Sequence, residues 1–438
     1  MSREPTPKLE PADADAAPLP GWSVDDLQEL SPKALVALAA EEGREDLIGL
    51  NRQELLFEML KHRAHRVGVA RAQGVLDVLP DGFGFLRSAR HGFRAGPDDV
   101  YVSPSQVRRL NLKRGHWLSG PVRAPREGER YFALMHVDCV NGATIPELRR
   151  RVPFESRTPI LPTRRLRLAA PNESATLRAI DLLAPLARGQ RVLLATPPIC
   201  GRTKLLTEIA CGLARTPDLH VIVLLVDERP EEVTVMQQAL AAWPRAEVVA
   251  STFDEPPSRH LDLAELVLDR ARRMVEAGED VALVVDSLTA VARASNIELP
   301  HSGKILCAGL DATSLLLPKR LFGAARETEE GGSLTIFATV LTDTGSRADE
   351  IVATEMHGKG NAELVVDRRL AERHVYPAFD VGRTGTRRED QVVTEDELVR
   401  LQALRTRLLG EPEVRRLPLL LELIGRTPDN ETLLQQGA

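Results

Sequence analysis

Between Arg191 and Ala210 the sequence reads RVLLAT, PPICGRT, KLLTEIA: an apolar strand, a short loop and an amphipathic run. A phosphate-binding loop, GxxxxGK[ST], cradles phosphates on backbone N–H groups, reaches the β and γ oxygens with lysine and holds magnesium with a hydroxyl. Gly201 and Thr203 fit that pattern, Thr196 stands at the first glycine position and Arg202 replaces the lysine. Taken alone, the match leaves two readings open, a nucleotide loop and an ordinary helix start in an α/β protein. Two further strands sharpen the choice. VALVVDS ends on Asp286, where a carboxylate holds magnesium in such enzymes, and VIVLLVDERPEEV places Asp227, Glu228 and Arg229 at its exit. In an open α/β sheet that exit is the ligand crevice, so Glu228 is placed to polarise an attacking water. An acid at one strand end often only caps the next helix; two beside such a loop point to phosphate chemistry.

A second constellation has a different chemistry. In DGFGFLRS, strand alternation puts Phe83, Phe85 and Arg87 on one face. Tyr101 and the run Glu129, Arg130, Tyr131 come from neighbouring strands. Aromatic faces stacked on bases, with arginines for phosphates and base edges, hold single-stranded nucleic acid. Core packing explains the two phenylalanines equally well but leaves Arg87 unaccounted for.

The elements around these residues differ along the chain. From about 188 onward, continuous Val/Leu/Ile runs alternate with helical patterns, the signature of a parallel sheet covered on both faces. Between about 73 and 140, GVLDVL, GFGFLRS, DDVYVS, HWLSGPVR and RYFALMHVD are short strands separated by turns, which predicts a small barrel of the OB type. Ahead of it, Ser31 and Pro32 start one short helix and Leu55, Leu56, Met59 and Leu60 stripe a second. The expected organisation is an acidic disordered arm over 1–29, a helical unit over 30–68, the barrel over 69–145, an arginine-rich connector over 146–180, the α/β domain over 181–425 and a tail over 426–438.

Charge follows the same division. Residues 1–29 hold seven acids against Arg3 and Lys8, whereas Lys61 to Arg130 hold fourteen Lys and Arg against six Asp and Glu. A basic module inside a chain of net charge -6 points to a polyanionic partner, or to a solvated basic face. With 43% hydrophobic and 27% charged residues, the 438-residue chain is of the ordinary globular class, with room for two or three domains. It carries no apolar run of membrane-spanning length, so no membrane partner is expected and a cytoplasmic location is. Cys139, Cys200, Cys211 and Cys307 lack CxxC spacing, which argues against a zinc site and a disulfide framework.

The stretches DGFGFLRS, AGPDDVYVSPSQ, EGERYFAL, VDERPEEVT, VVASTFDEP, FGAARETEEGGSLTIFAT and VGRTGTRRE together resemble the bacterial transcription termination factor Rho family, over roughly residues 30 to 410. The resemblance implies a RecA-type ATPase domain behind an OB-type barrel, assembled as a homohexameric ring. It implies ATP and Mg2+ as cofactors, single-stranded RNA and the RNA polymerase elongation complex as partners, and 5′ to 3′ translocation that releases nascent RNA. Carried over by position, it gives RNA contacts to Phe83, Phe85, Arg87, Tyr101, Glu129, Arg130 and Tyr131, and in the channel loops to Lys304 and to His357, which replaces a lysine. It makes Glu228, Asp286 and Arg387 catalytic, with Arg387 the finger offered to a neighbouring subunit, and Thr203 and Asp286 the metal-holding pair. Nucleotide contacts fall to Gly189, Gln190, Arg191, Ile199, Cys200, Gly201, Arg202, Thr203, Lys204, Arg229 and Tyr376. Departures cluster in the motor: Arg202 and Ile199 replace lysines, Ala290 and His374 replace arginines, and His357 is the third lysine lost. A planar guanidinium is a poor substitute for a compact ammonium between phosphates. The alternative to a translocase is therefore a hydrolysis-impaired RNA-binding paralogue that regulates termination.

Overall fold

Ser31 accepts a hydrogen bond from the Ala34 amide and Pro32 supplies the first helical residue, so the chain enters the helix Pro32–Glu41 where the sequence predicts it. The computed structural model describes residues 23–436 except Glu29, Gly68, Val69, Glu127, His301 and Cys307. Helix Arg52–Val67 follows, and Leu35, Ala39, Leu56, Met59 and Leu60 are fully buried. They form one core with Leu76, Leu86 and Phe132 of the next domain, so the helical unit is a lid on the barrel. Most of the stretch expected as a disordered arm, residues 1–22, lies outside the described residues. Its end is a correction: Val24–Gln28 is a helix whose Val24 and Leu27 join that same core.

The barrel closes. Strand Ala70–Val78 pairs with both Gly84–Arg87 and Trp117–Arg123, and the ring passes through Val100–Val102 and Phe132–Leu134. Only Val100–Val102 and Phe132–Leu134 run parallel, the rest being antiparallel. Gly115, at φ +88, touches the ATPase domain so closely that a Cβ there would lie 2.4 Å from the Arg270 amide. The barrel thus sits directly on the long helix Pro257–Glu276.

In the second domain six parallel strands run in the order Ala246–Thr252, Leu219–Glu228, Asp280–Asp286, Ser333–Leu341, Arg191–Thr196, Ala362–Val365. Gly385–Thr386 adds an antiparallel edge. Both faces are covered, one by helices including Arg202–Ala214 and the other by helices including Pro257–Glu276, as the unbroken apolar runs require. Because the strands are parallel, Thr196, Glu228 and Asp286 all emerge at one edge of the sheet.

Two boundary readings change. The connector is sewn to the ATPase domain: Arg157 is buried and donates to the carbonyls of Val152, Val275, Glu276 and Gly331, while helix Ala175–Leu183 runs across the expected boundary at 180. The tail is a helix, Asn430–Gln435, capped by Asp429, with Leu433 and Leu434 in the ATPase core and Arg178 bonded to Ile424, Thr427 and Asn430. An isolated leucine pair is too short to announce itself by periodicity. No helix among the described residues is long and apolar enough to cross a membrane.

Candidate nucleotide and RNA sites

The loop after Arg191–Thr196 turns on Gly201, which adopts φ +79 and caps helix Arg202–Ala214. A Cβ at Gly201 would sit 3.3 Å from the Tyr376 ring, so this half-exposed ring packs against the loop. Ile199 stands at φ +63 and is 94% exposed. Lys204 and Arg229 are exposed on the same rim. Cys200 is a correction in part: its side chain is buried in the core beneath the loop, leaving only its backbone for a ligand.

Arg202, the first residue of that helix, turns toward the acids. Its Nη2 lies 2.6 Å from Glu228 Oε2 and its Nε 3.2 Å from Asp286 Oδ2. Asp286 is buried and also accepts from Thr339 Oγ1 at 2.7 Å. Thr203 donates from Oγ1 to Glu232 at 2.5 Å. Burial pushes the Glu228 carboxyl up to about 7, against the pull of Arg202, and burial likewise raises Asp286. The arrangement is a crevice of acids around one guanidinium. It fits the expected magnesium, because the two carboxylates already hold a cation between them, and Thr203 and Asp286 would be the ligands that hold the metal.

Gly189, Gln190 and Arg191 do not join this crevice. They stand at the start of the strand whose far end carries the loop, and they serve their own chain. Gly189 lies against Glu327 with no room for a Cβ, Gln190 Oε1 accepts from Ala187 N, and Arg191 donates to Ala325 and Lys359 carbonyls. Arg387 is found at that same edge: its amide donates to Asn361 O at 2.7 Å, and Asn361 pairs with Arg191. Arg387 is exposed there, at the opposite edge of the sheet from the loop of its own chain. Lys304 and His357 are exposed on loops, and His357 Nδ1 lies 2.9 Å from Glu363.

On the barrel the aromatics do converge. Phe85 packs edge-on against Tyr131 at 4.8 Å, Phe83 at 5.8 Å and Tyr101 at 6.1 Å between ring centroids. Phe85 is 9% exposed, the floor of the cluster, and Phe83, Tyr101 and Tyr131 are its accessible surface. Arg87 is a correction. Instead of reaching outward it is buried, stacked 5.1 Å from the Phe85 centroid and ion-paired with Asp99 and, at 3.5 Å, Asp77. Burial holds Asp99 up at about 7 despite that partner. Beside the rings opens a cleft of about 620 Å³ lined by Tyr101, Glu129, Arg130, Tyr131, Arg123 and Arg126, among others. Glu129 accepts from Arg123 at 2.9 Å and from the Arg126 amide at 3.0 Å; the Arg123 hydrogen bond draws its carboxyl down to about 2. Arg123 and Arg126 escaped the sequence reading, although both flank Pro125 within a few residues of Glu129.

A mononucleotide crevice at the carboxyl edge of a doubly covered parallel sheet, fused to an aromatic single-strand cleft, defines an ATPase with an RNA-binding domain. Comparison with known proteins agrees. Residues 72–146 match the Rho termination factor RNA-binding domain, and residues 176–385 the nucleotide-binding domain of the ATP synthase alpha/beta family. Transcription termination factor Rho of Pseudomonas fluorescens biotype C is 48% identical over 412 residues, 92% of this chain and 97% of that protein. Its counterpart in Salmonella typhimurium is 45% identical over 417 residues, 94% of this chain and 99% of that protein. The assembled ATPase EscN of an enteropathogenic E. coli type III secretion system shares the fold, with a TM-score of 0.51 at 20% identity over 63% of this chain and 71% of that one. The chain belongs to the transcription termination factor Rho family.

Proposed function

We propose that the chain is an RNA-dependent ATPase that assembles as a homohexameric ring, translocates 5′ to 3′ along single-stranded RNA and releases nascent RNA from the RNA polymerase elongation complex. The observation that carries this reading is the convergence of Glu228, Asp286, Thr203 and Arg202 at one sheet edge in a chain that also presents the aromatic cleft. Glu228 accepts the proton of the attacking water, and its carboxyl near 7 is tuned for that exchange. Arg202 leaves the acids to neutralise phosphate oxygens, and Arg387 of the adjacent subunit covers the charge that develops in the transition state. Bound magnesium supplies electrostatic stabilisation of the phosphates. Tyr376 holds the base, and the barrel holds RNA on Phe83, Tyr101 and Tyr131.

The ion pairs of Arg202 favour a second reading, in which hydrolysis is weak and the chain regulates termination by binding RNA. To touch phosphate, the guanidinium must abandon two acids, one fully buried, and so expose them to each other. Phosphate release by the purified protein with and without poly(C) RNA separates the readings. A translocase shows RNA-stimulated turnover, whereas a regulator binds RNA without it.

A further inference from the structure

The loop between strands Gly84–Arg87 and Val100–Val102 begins and ends on the aromatic face. Phe85 and Arg87 precede it; Asp99 and Tyr101 close it, and Asp99 ties the ends together by accepting from Gly96 N at 2.8 Å while pairing with Arg87. The middle of the loop grips the other domain. The Gly92 carbonyl accepts from Arg259, and the Arg270 guanidinium lies 5.6 Å from the buried Phe93 ring. Arg94 Nη2 is 2.6 Å from Glu255 Oε1.

Glu255 carries the contact inward. The same Oε1 accepts from Thr252 N at 3.0 Å and from Thr252 Oγ1 at 3.3 Å. Thr252 ends strand Ala246–Thr252 and is the register partner of Glu228, and the next amide, Phe253 N, donates to the Glu228 carbonyl at 3.2 Å. One carboxylate oxygen is therefore shared between the barrel and the strand end that flanks Glu228.

We propose that Arg94 is a positioning residue, through which RNA on the barrel sets the strand end beside Glu228. The proposal rests on the reading of the chain as an RNA-stimulated ATPase. RNA filling the aromatic cleft fixes both ends of the loop, and the loop transmits that constraint through Glu255 to Thr252. A shift near 1 Å at a residue that orients the attacking water changes the rate on the order of 100-fold. Arg94 lies outside the aromatic cleft, and its half-exposed ion pair contributes little to global stability, so its removal leaves the fold intact. The coupling is reciprocal: nucleotide in the crevice alters RNA affinity by the factor with which RNA alters nucleotide affinity.

Amide hydrogen exchange of the full-length protein with and without poly(C) RNA tests this independently of turnover. RNA is expected to slow exchange at residues 83–87 in every variant. At residues 251–255 it is expected to do so in the natural protein and in Arg94→Lys, but not in Arg94→Ala. Glu255→Gln, which keeps an acceptor for Thr252 but loses the charge facing both Arg94 and Arg259, 3.4 Å from its Oε2, is expected to lose that protection at least as fully as Arg94→Ala, and the double variant to be no worse than Glu255→Gln alone. Direct RNA affinity stays within about twofold, while RNA stimulation of hydrolysis falls about tenfold. Protection at 251–255 that survives Arg94→Ala, or that is absent in the natural protein while 83–87 is protected, overturns the coupling alone. RNA that protects neither segment overturns the RNA-binding reading and the coupling with it.

Discussion

The Arg202 guanidinium and the Glu228 carboxylate are 2.6 Å apart, so the arginine at the end of the loop after the strand Arg191–Thr196 pairs with the acid proposed to orient water. Lysine, with one compact charge on a flexible stem, can face the phosphates without this fork; arginine is long and planar enough to bridge Glu228 and Asp286 together. In the proposed mechanism the guanidinium still neutralises phosphate charge, but from a position set by the two acids, which misplaces the γ-phosphate relative to Glu228. Binding should therefore suffer less than chemistry, because interactions made only in the transition state set the rate.

Arg202→Lys is expected to raise RNA-stimulated hydrolysis by about one order of magnitude or more with little change in nucleotide affinity. Adding Ile199→Lys restores a second charge on the exposed tip of the loop and should extend the gain. Steady-state phosphate release and binding of a fluorescent nucleotide read the two quantities separately. A natural protein already running at ordinary motor rates, with no gain from lysine, removes the second reading.

The pH dependence follows from Glu228. Its folded-state value near 7 lies above the ordinary 4.5, so between those values the folded chain holds a proton that the unfolded chain has released. Stability from this group accordingly falls as pH rises from about 4.5 to about 7 and levels off beyond. Glu228→Gln should flatten that part of the slope, leaving the similar contribution of Asp99. In turnover the sign is opposite: kcat/KM for ATP should climb through pH about 7 as the carboxylate forms. A flat profile from pH 6 to 8, on the order of one unit either side of that value, would remove Glu228 as the group that accepts the proton.

Phe83 and Phe85 should separate by burial. Phe83→Ala, at the accessible surface, is expected to weaken RNA binding by about 1 to 3 kcal/mol with a small change in Tm. Phe85→Ala empties the floor of the cluster and should cost about 3 to 5 kcal/mol of stability besides affinity. Equal thermal losses from both would make the whole cluster a core.

How far the sequence foretold this depends on whether a residue's partners were local. Continuous apolar strands ending in acids made the parallel sheet and the positions of Asp286 and Glu228 readable, because burial on both faces leaves a one-dimensional trace. Alternation put Phe83, Phe85 and Arg87 on one face correctly. What alternation cannot show is that Asp77 and Asp99, on other segments, capture Arg87 and bury it. The fork of Arg202 depends in the same way on acids 26 and 84 positions away in sequence. Resemblance by position sent Gly189, Gln190 and Arg191 to the nucleotide, whereas the strand direction puts them beside Arg387.

That edge yields a test of assembly. Arg387→Ala should leave nucleotide binding intact and abolish hydrolysis, as should Glu228→Gln. Mixed in equal amounts, the two inactive proteins should recover activity, because some interfaces then join an intact Glu228 to an intact Arg387. Mixtures as inactive as their components would mean that Arg387 does not act across subunits.

The most direct measurement is phosphate release from ATP by the purified full-length protein, with poly(C) RNA and without it. The expected result is turnover that rises at least about tenfold with RNA and is lost in Glu228→Gln. RNA binding with no turnover above that of Glu228→Gln would contradict the account of this chain as an RNA-driven motor.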